Sequence, residues 1–280
     1  MSNEITKVAL QLGFNEKISN ELYHADREFI SSSGIKLMAK DARAFHKTYV
    51  LNEEKMQMNQ SALDFGSYVH ALILEPEIVA DEFALFTGAS RRGKAWKEFE
   101  EANKDKIIIT ASQDRMAQEL FENFKKSTVI MGEGENEKEV SLSSFYEKGK
   151  AEETLCVELE GVKVKVRFDY RKEWDTFGSI NDIKTTASFA HNVEQVEDIC
   201  ESFGYHVSAA LYVDAVEKKT GKKHDFYFTF ISKKDGQSYM YKASETMLER
   251  GRVEYKKGLA ALKEARKTGI YYKNVIKELG

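Results

Sequence analysis

The segment Ile180-Asn-Asp-Ile-Lys-Thr-Thr186 sets a carboxylate and an amine two positions apart, at Asp182 and Lys184. Side chains in a strand alternate faces, so Asp182 and Lys184 point to one side while Ile183 points to the other, into the core. Upstream, Val166-Arg-Phe-Asp169 ends an alternating run, and antiparallel pairing across the intervening turn brings Asp169 close to Asp182. Two acidic side chains at one strand edge repel each other unless a cation lies between them, and hard oxygen ligands suit Mg²⁺ or Mn²⁺. A lysine beside such an ion can hold or deprotonate an attacking water, while the ion stabilises charge on phosphate oxygens. This is the outline of a phosphodiester hydrolase. An isolated Asp-x-Lys is more often a surface ion pair, so its weight depends on the surrounding chain.

The elements that must position these residues change character along the sequence. The first part, about residues 1 to 130, reads mainly helical. Ser33 is placed to cap a helix through Ile35, Leu37, Met38 and Phe45, and Ser61 one through Leu63, Val69, Leu72 and Leu74. Thr110 with Gln113 has the form of a capping box, followed by Met116, Leu120 and Phe124 at helical spacing. From about residue 135 to 270 the chain reads as a β-rich core with flanking helices. Val162, Val164, Val166 and Phe168 alternate with Lys163, Lys165 and Arg167, and residues 153 to 159 are the expected hairpin partner. A turn at Asp175 to Gly178 leads to a strand from Ser179 to Lys184, then one long helix over about 191 to 219 ending near Gly221. Strands at Asp225 to Ile231 and Ser238 to Tyr241 and a helix from Met247 to Lys267 complete it. The expectation is one domain over 1 to 280, an α/β (α+β) fold with a mixed β-sheet flanked by helices and a helical N-terminal region.

Composition narrows the classes. The 280 residues are 42% hydrophobic and 31% charged, which is globular. No run reaches the ~18 apolar residues of a membrane span, and the polar start lacks the apolar stretch of a secretory signal, so a cytoplasmic protein is expected. Two cysteines, Cys156 and Cys200, cannot build a four-cysteine iron–sulfur or zinc site, and reduced core thiols are the expectation. With a net charge of −4, any nucleic-acid surface must be local. Arg91, Arg92, Lys94 and Lys97, and Lys218, Lys219, Lys222 and Lys223, are the candidate patches, although a solvated face explains either.

With Gly66-Ser-Tyr-Val-His70 upstream and Asp169 at a strand end, the constellation resembles the PD-(D/E)xK nuclease superfamily in its exonuclease branch, and most of all RecE-type exodeoxyribonucleases and related phage nuclease-like proteins. Tyr23-His-Ala-Asp26 with Ile30-Ser-Ser-Ser33 resembles the start of that nuclease domain. Gly66-Ser-Tyr-Val-His70 with Leu74-Glu-Pro76 resembles its GxxxH-type helix, Phe168-Asp169 its first catalytic aspartate, and Asp182-Ile-Lys184-Thr-Thr186 its D-(I/L)-K-T-T signature. Tyr205-His-Val-Ser208 through Tyr212 is similar to its Y-H-V-Q helix with QxxxY spacing. The resemblance covers about residues 20 to 260 and implies a restriction-endonuclease-like core. In it Asp169 and Asp182 bind the metal, His70 and Glu153 support it, Ile183 belongs to the metal site, and Lys184 positions the nucleophilic water. Glu153 stands at about the expected distance before the Asp169 strand, with Glu139 as its rival. Thr185, Tyr205, Ser208, Tyr212 and Arg43 are the implied substrate contacts, and Lys36 is a further basic residue placed to meet a 5′ phosphate. The pattern departs from the family at Ser208, where a glutamine is usual, and at Lys40-Asp-Ala42, where relatives often carry Ser-Pro or Cys-Pro.

The resemblance implies a Mg²⁺- or Mn²⁺-dependent exonuclease that degrades linear duplex DNA 5′ to 3′ and leaves 3′ overhangs for phage-type recombination. A single-strand annealing recombinase and a homo-oligomeric ring are its implied partners, in a bacterial host cytoplasm. Ser208 motivates an alternative, a DNA-binding recombination accessory protein with the nuclease fold and little or no turnover. A Cas4-like enzyme would need two more cysteines, and a restriction-type endonuclease fits the Gly66–His70 and Tyr212 features less well.

Overall fold

The computed structural model describes residues 10–16, 18–53, 59–132 and 134–273; the polar start at residues 1–7 lies outside them. In chain order the elements are β1 (Gly13–Asn15), α1 (Asn20–Ala25), β2 (Ile30–Ser31), α2 (Ser32–Lys40), α3 (Ala42–Phe45), α4 (Gln60–Leu74), α5 (Val79–Glu82), β3 (Phe83–Phe86), α6 (Lys94–Ala102), β4 (Ile107–Thr110) and α7 (Ala111–Lys126). They continue with β5 (Thr128–Met131), β6 (Lys138–Ser141), β7 (Lys150–Leu159), β8 (Val162–Glu173), β9 (Phe177–Thr186), α8 (Val193–Phe203), α9 (Tyr205–Thr220), β10 (Lys223–Ser232), β11 (Ser238–Lys242) and α10 (Glu245–Thr268). Among the described residues no helix is long and apolar enough to cross a membrane.

The expected mixed sheet flanked by helices is present, in the order β1-β7-β8-β9-β10-β11 with β2 pairing β8. The β7–β8 hairpin turns on Glu160 and Gly161, both at positive φ (51° and 75°), which matches the twist of a two-residue connection. β9 and β10 run parallel, and α8 with α9 forms the crossover between them. One face of the sheet carries the larger core: Val164, Val166 and Phe168 of β8, Ile180 of β9, and Phe226, Phe228 and Phe230 of β10 pack with α9, α10 and α2. α9 is buried over most of its length up to Val216, between the sheet and the helices α2 and α10, and its alanines keep those layers close. The approach is backbone to side chain: a Cβ on Gly251 would lie 2.2 Å from the His206 carbonyl oxygen, and one on Gly258 2.7 Å from that of Ile35. Across the sheet a second cluster joins Ile183 of β9 and Ile231 of β10 to Phe65, Val69 and Leu72 of α4 and to α7. Ile183 is thus in the core, on the face opposite Ile180, as strand alternation requires.

Five local expectations shift. The long helix over 191 to 219 is two helices, broken at Gly204, whose left-handed backbone (φ 62°) ends α8 and starts α9. The helix through Phe45 breaks at Asp41, whose carboxylate accepts from the Arg43 and Ala44 amides and so caps α3 instead of extending α2. Ser31 rather than Ser33 holds the N-cap position of α2, and Asn59 rather than Ser61 caps α4. The N-terminal part also supplies β1 and β2 to the central sheet. The Thr110–Gln113 capping box forms on α7.

Cys156 and Cys200 are both buried free thiols, and burial pushes each up to about 12, far from reactivity. Neither basic stretch forms a wholly open patch. Arg91 donates to the Ile108 carbonyl and the Gln113 side chain, Lys94 pairs with Glu98, Lys218 donates to the Glu158 carbonyl, and Lys222 pairs with Glu173.

Candidate active site

The site begins where two strands part. β8 and β9 pair antiparallel from Glu173↔Gly178 to Tyr170↔Asn181, and there the ladder stops. The next residues on the two strands are Asp169 and Asp182. Beyond them the backbone of β9 is claimed by side chains: the Ile183 amide donates to Asp169 Oδ2 at 2.7 Å, and the Ile183 carbonyl faces His70 Nε2 at 3.0 Å. A carbonyl can only accept, so Nε2 carries the proton and Nδ1 the lone pair. Nδ1 lies 3.7 Å from Asp169 Oδ2. Burial lowers the His70 pKa below its ordinary value in spite of Asp169, which keeps the ring neutral.

The third member of this group is Glu152. The ligand atoms of His70, Glu152 and Asp169 all lie within 4.8 Å of one another. The β7–β8 register runs Ala151↔Tyr170 and Glu153↔Phe168, which sets position 152 opposite position 169. Glu152 holds a positive φ of 47°, rare for a residue with a side chain in a strand. Such strain persists only when its surroundings enforce it, and it concentrates at functional sites. Burial, with the Asp169 charge adding to it, pushes Glu152 up to about 8.

Asp182 and Lys184 share a face, as expected, and pair at 2.5 Å. Burial pushes Asp182 up to about 6 against the pull of Lys184, with Asp169 adding to the rise. Burial disfavours the Lys184 charge too, but Asp182 and Asp169 outweigh it and hold the ammonium above its usual range. Lys184 Nζ also donates to the Ile183 carbonyl at 3.2 Å and lies 5.4 Å from the Tyr205 ring centre.

This donor set fits a divalent cation. A neutral histidine presents its lone pair to two crowded carboxylates, and both Glu152 and Asp182 rise because burial leaves their charges undercompensated. A hard cation relieves that crowding, and its oxygen-rich surroundings suit Mg²⁺ or Mn²⁺. The Ile183 carbonyl, rather than its side chain, is what position 183 offers to the site. A His70 ring oriented through its second nitrogen matches the usual support of metal-bound histidines.

Glu153, expected at the metal, is not brought to this group. It is buried in an ion pair with Arg171 at 2.6 Å and Lys150 at 3.2 Å. Its rival Glu139 sits on the separate β5–β6 hairpin and accepts from Thr128 at 2.6 Å. The carboxylate at the place expected for them is Glu152, and counting outward from the Glu160–Gly161 turn would have found it. Thr185 and Tyr205 line the same groove as His70 and Lys184. Tyr212 stands edge-on to Phe168 (5.7 Å) and Phe226 (6.3 Å), packed beneath the site. Ser208 Oγ lies 2.8 Å from Ser32 Oγ and accepts from Lys36 Nζ at 3.2 Å, while Lys36 also donates to the Phe203 carbonyl at 3.1 Å. Burial, with Lys184 nearby, lowers Lys36 to about 8. Arg43 lies instead over the Tyr272 ring, 5.3 Å from its centre, away from these contacts.

Residues 31–271 match the family model of a PDDEXK-like domain of unknown function (DUF3799). No curated protein matches the chain by sequence. Among solved structures, a crystal structure from Eubacterium rectale described as a "putative exonuclease" superposes with a TM-score of 0.62, covering 95% of this chain and 97% of that one at 16% identity, which shows a shared fold. The chain belongs to the PDDEXK-like family, in agreement with the resemblance to the PD-(D/E)xK superfamily read from its motifs.

Proposed function

From this family membership and the site's geometry, we propose that the protein is a metal-dependent exodeoxyribonuclease acting 5′ to 3′ on linear duplex DNA to leave 3′ overhangs. The observation that carries the reading is the convergence of His70, Glu152 and Asp169 within 4.8 Å beside the Asp182–Lys184 pair. His70, Glu152, Asp169, Asp182 and the Ile183 carbonyl are the groups that would hold Mg²⁺ or Mn²⁺. When bound, such an ion supplies Lewis acidity at phosphate oxygens and makes a water nucleophilic near neutral pH.

The chain's own contributions follow from its contacts. His70 is kept neutral by burial and oriented by its bond to Ile183, so its Nδ1 lone pair is available. Lys184 stays protonated between the carboxylates, so it acts as a donor that orients the attacking water and meets charge developing on the phosphate, not as the base. Asp182 fixes the Lys184 ammonium. Thr185 and Tyr205 line the groove as substrate contacts. A role in phage-type recombination beside a single-strand annealing protein, in a ring around DNA, in a bacterial cytoplasm, completes the proposal.

The test is digestion of linear duplex DNA labelled separately at its 5′ and 3′ ends, with Mg²⁺ or Mn²⁺ and with Lys184→Ala as control. Metal-dependent loss from the 5′ end, absent in the variant, is the expected result. One observation favours a second reading as a binding or accessory protein: the Ser208 hydroxyl is already engaged by Ser32 and Lys36. No cleavage by folded protein across metals and DNA ends would decide for that reading.

A further inference from the structure

The groove that holds His70 and Lys184 has a volume of about 520 Å³ and carries Phe203, Tyr205 and Lys233 on its walls. It continues into a hollow of about 340 Å³ that shares Ala187, Ser188 and Ile199 with it and adds Phe189 and Lys234. Two features of this surface are unexplained by packing. Phe203 ends α8 with 62% of its surface in water, and Phe189 is 40% exposed. Exposed single aromatics are ordinary, but Phe203 is not single. Its ring stacks on Tyr205 at 5.4 Å and 17°, and Tyr205 in turn lies beneath the Lys184 ammonium. The left-handed Gly204 between them turns the chain so that the last ring of one helix meets the first ring of the next.

Two lysines line the same surface, Lys233 in the groove and Lys234 in the hollow. Lys233 Nζ is 5.2 Å from the Phe65 ring centre and Lys234 Nζ 5.8 Å from that of Phe189. Neither lysine has a carboxylate partner among the described residues. Asp198 also lines the hollow, the one acidic residue among its lining. An exposed aromatic stack in a groove that also carries lysines is what an unpaired nucleic-acid strand needs, because every base offers a π-face and every linkage a negative charge. Inside a duplex the base faces are already covered by their neighbours.

We propose that the Phe203–Tyr205 stack is a platform for an unpaired nucleobase of the DNA strand being cut, next to the bond that Lys184 serves, with Lys233 and Lys234 taking phosphates of the same strand. This rests on the nuclease reading above and adds that the substrate enters the site as single strand.

The experiment is fluorescence anisotropy of a labelled single-stranded oligonucleotide, with Ca²⁺ in place of Mg²⁺, against an oligonucleotide of the same length carrying abasic residues. Phe203→Ala weakens binding of the natural strand about ten- to a hundredfold, Phe203→Trp retains it, and wild type and Phe203→Ala bind the abasic strand alike. Equal affinity of wild type and Phe203→Ala for the natural strand overturns the platform, and so does an equal loss on both strands, which marks a merely structural ring. A cleaving wild type with either of those results leaves the nuclease reading standing. The base-dependent loss in a protein that cuts nothing supports the platform and overturns the nuclease reading.

Discussion

β9 has two different neighbours. On one side β10 pairs with all ten of its residues, from Lys223↔Phe177 to Ser232↔Thr186. On the other, β8 pairs only from Tyr170↔Asn181 to Glu173↔Gly178 and then withdraws. The complete ladder fixes the register, so Asp182 and Lys184 must face the same side. The interrupted ladder frees the amide and carbonyl of Ile183, and Asp169 and His70 take them. One strand thus supplies both rigidity and open hydrogen-bonding groups, and the proposed chemistry is assigned to the open side.

The strongest challenge to this division is to remove groups on the open side. Asp169→Asn and Lys184→Ala are expected to lower kcat on the order of a thousandfold, or ~4 kcal/mol of barrier, with an unchanged far-UV circular dichroism spectrum. Rates within tenfold of wild type would show that the parted strands are not the active site. Next comes the pair of adjacent glutamates. Glu152→Gln should cost about 10- to 100-fold in divalent-metal affinity, measured by calorimetry. Glu153→Ala should leave that affinity intact but destabilise the fold by about 3 kcal/mol in a denaturant titration, because Arg171 loses a buried partner. The reverse pattern would exchange their roles.

A pH dependence sharpens the same contrast. Glu152 rises from 4.5 in the unfolded chain to about 8 in the folded one, so the folded protein binds the extra proton. Its contribution to stability is then lost as pH rises through that window. The metal-free protein should show a Tm that falls from about pH 5 to 8, and Glu152→Gln should flatten the fall. Added Mn²⁺ should bind more tightly as pH rises, because it displaces that proton; a Tm profile identical in wild type and Glu152→Gln would contradict the assignment. The smallest effect is expected at Ser208. Ser208→Ala removes one acceptor of Lys36 and should lower kcat/KM by roughly tenfold or less, since a hydrogen bond to a charged group contributes about 1.5 kcal/mol. A change confined to stability would make Lys36 only a cap on the end of α8.

Much of the site was legible from its residues. The alternation of Val162 through Phe168 marks β8, and the two-residue spacing of Asp182 and Lys184 places them on one face, where the structure has them. Asp169 follows from the turn that joins the strands. The upstream glutamate was not legible from distance along the chain, because Glu152 and Glu153 are adjacent and only register separates them. That register was available in the Glu160–Gly161 turn, whose two residues fix every pair outward from Leu159↔Val162. β1 and β2 were missed for another reason: three and two residues are too short to show alternation, and they exist as strands only because β7 and β8 offer them open edges. The break at Gly204 was hidden because apolar spacing continues across it, from Ile199 and Phe203 to Val207 and Leu211. His70 was found by motif, whereas its tautomer depends on a carbonyl more than a hundred residues away in sequence.

The parallel pairing of β9 with β10 also sets an order of assembly. When β9 leaves the ribosome, the neighbour that will hold it along its whole length does not yet exist, and two helices must be made before Lys223 to Ser232 can arrive. Contacts across such a long loop form late, because its closure entropy is spent before any pairing repays it. A nascent chain stopped before Lys223 therefore already carries His70, Glu152, Asp169, Asp182 and Lys184 yet lacks the strand that pairs with β9 along its whole length.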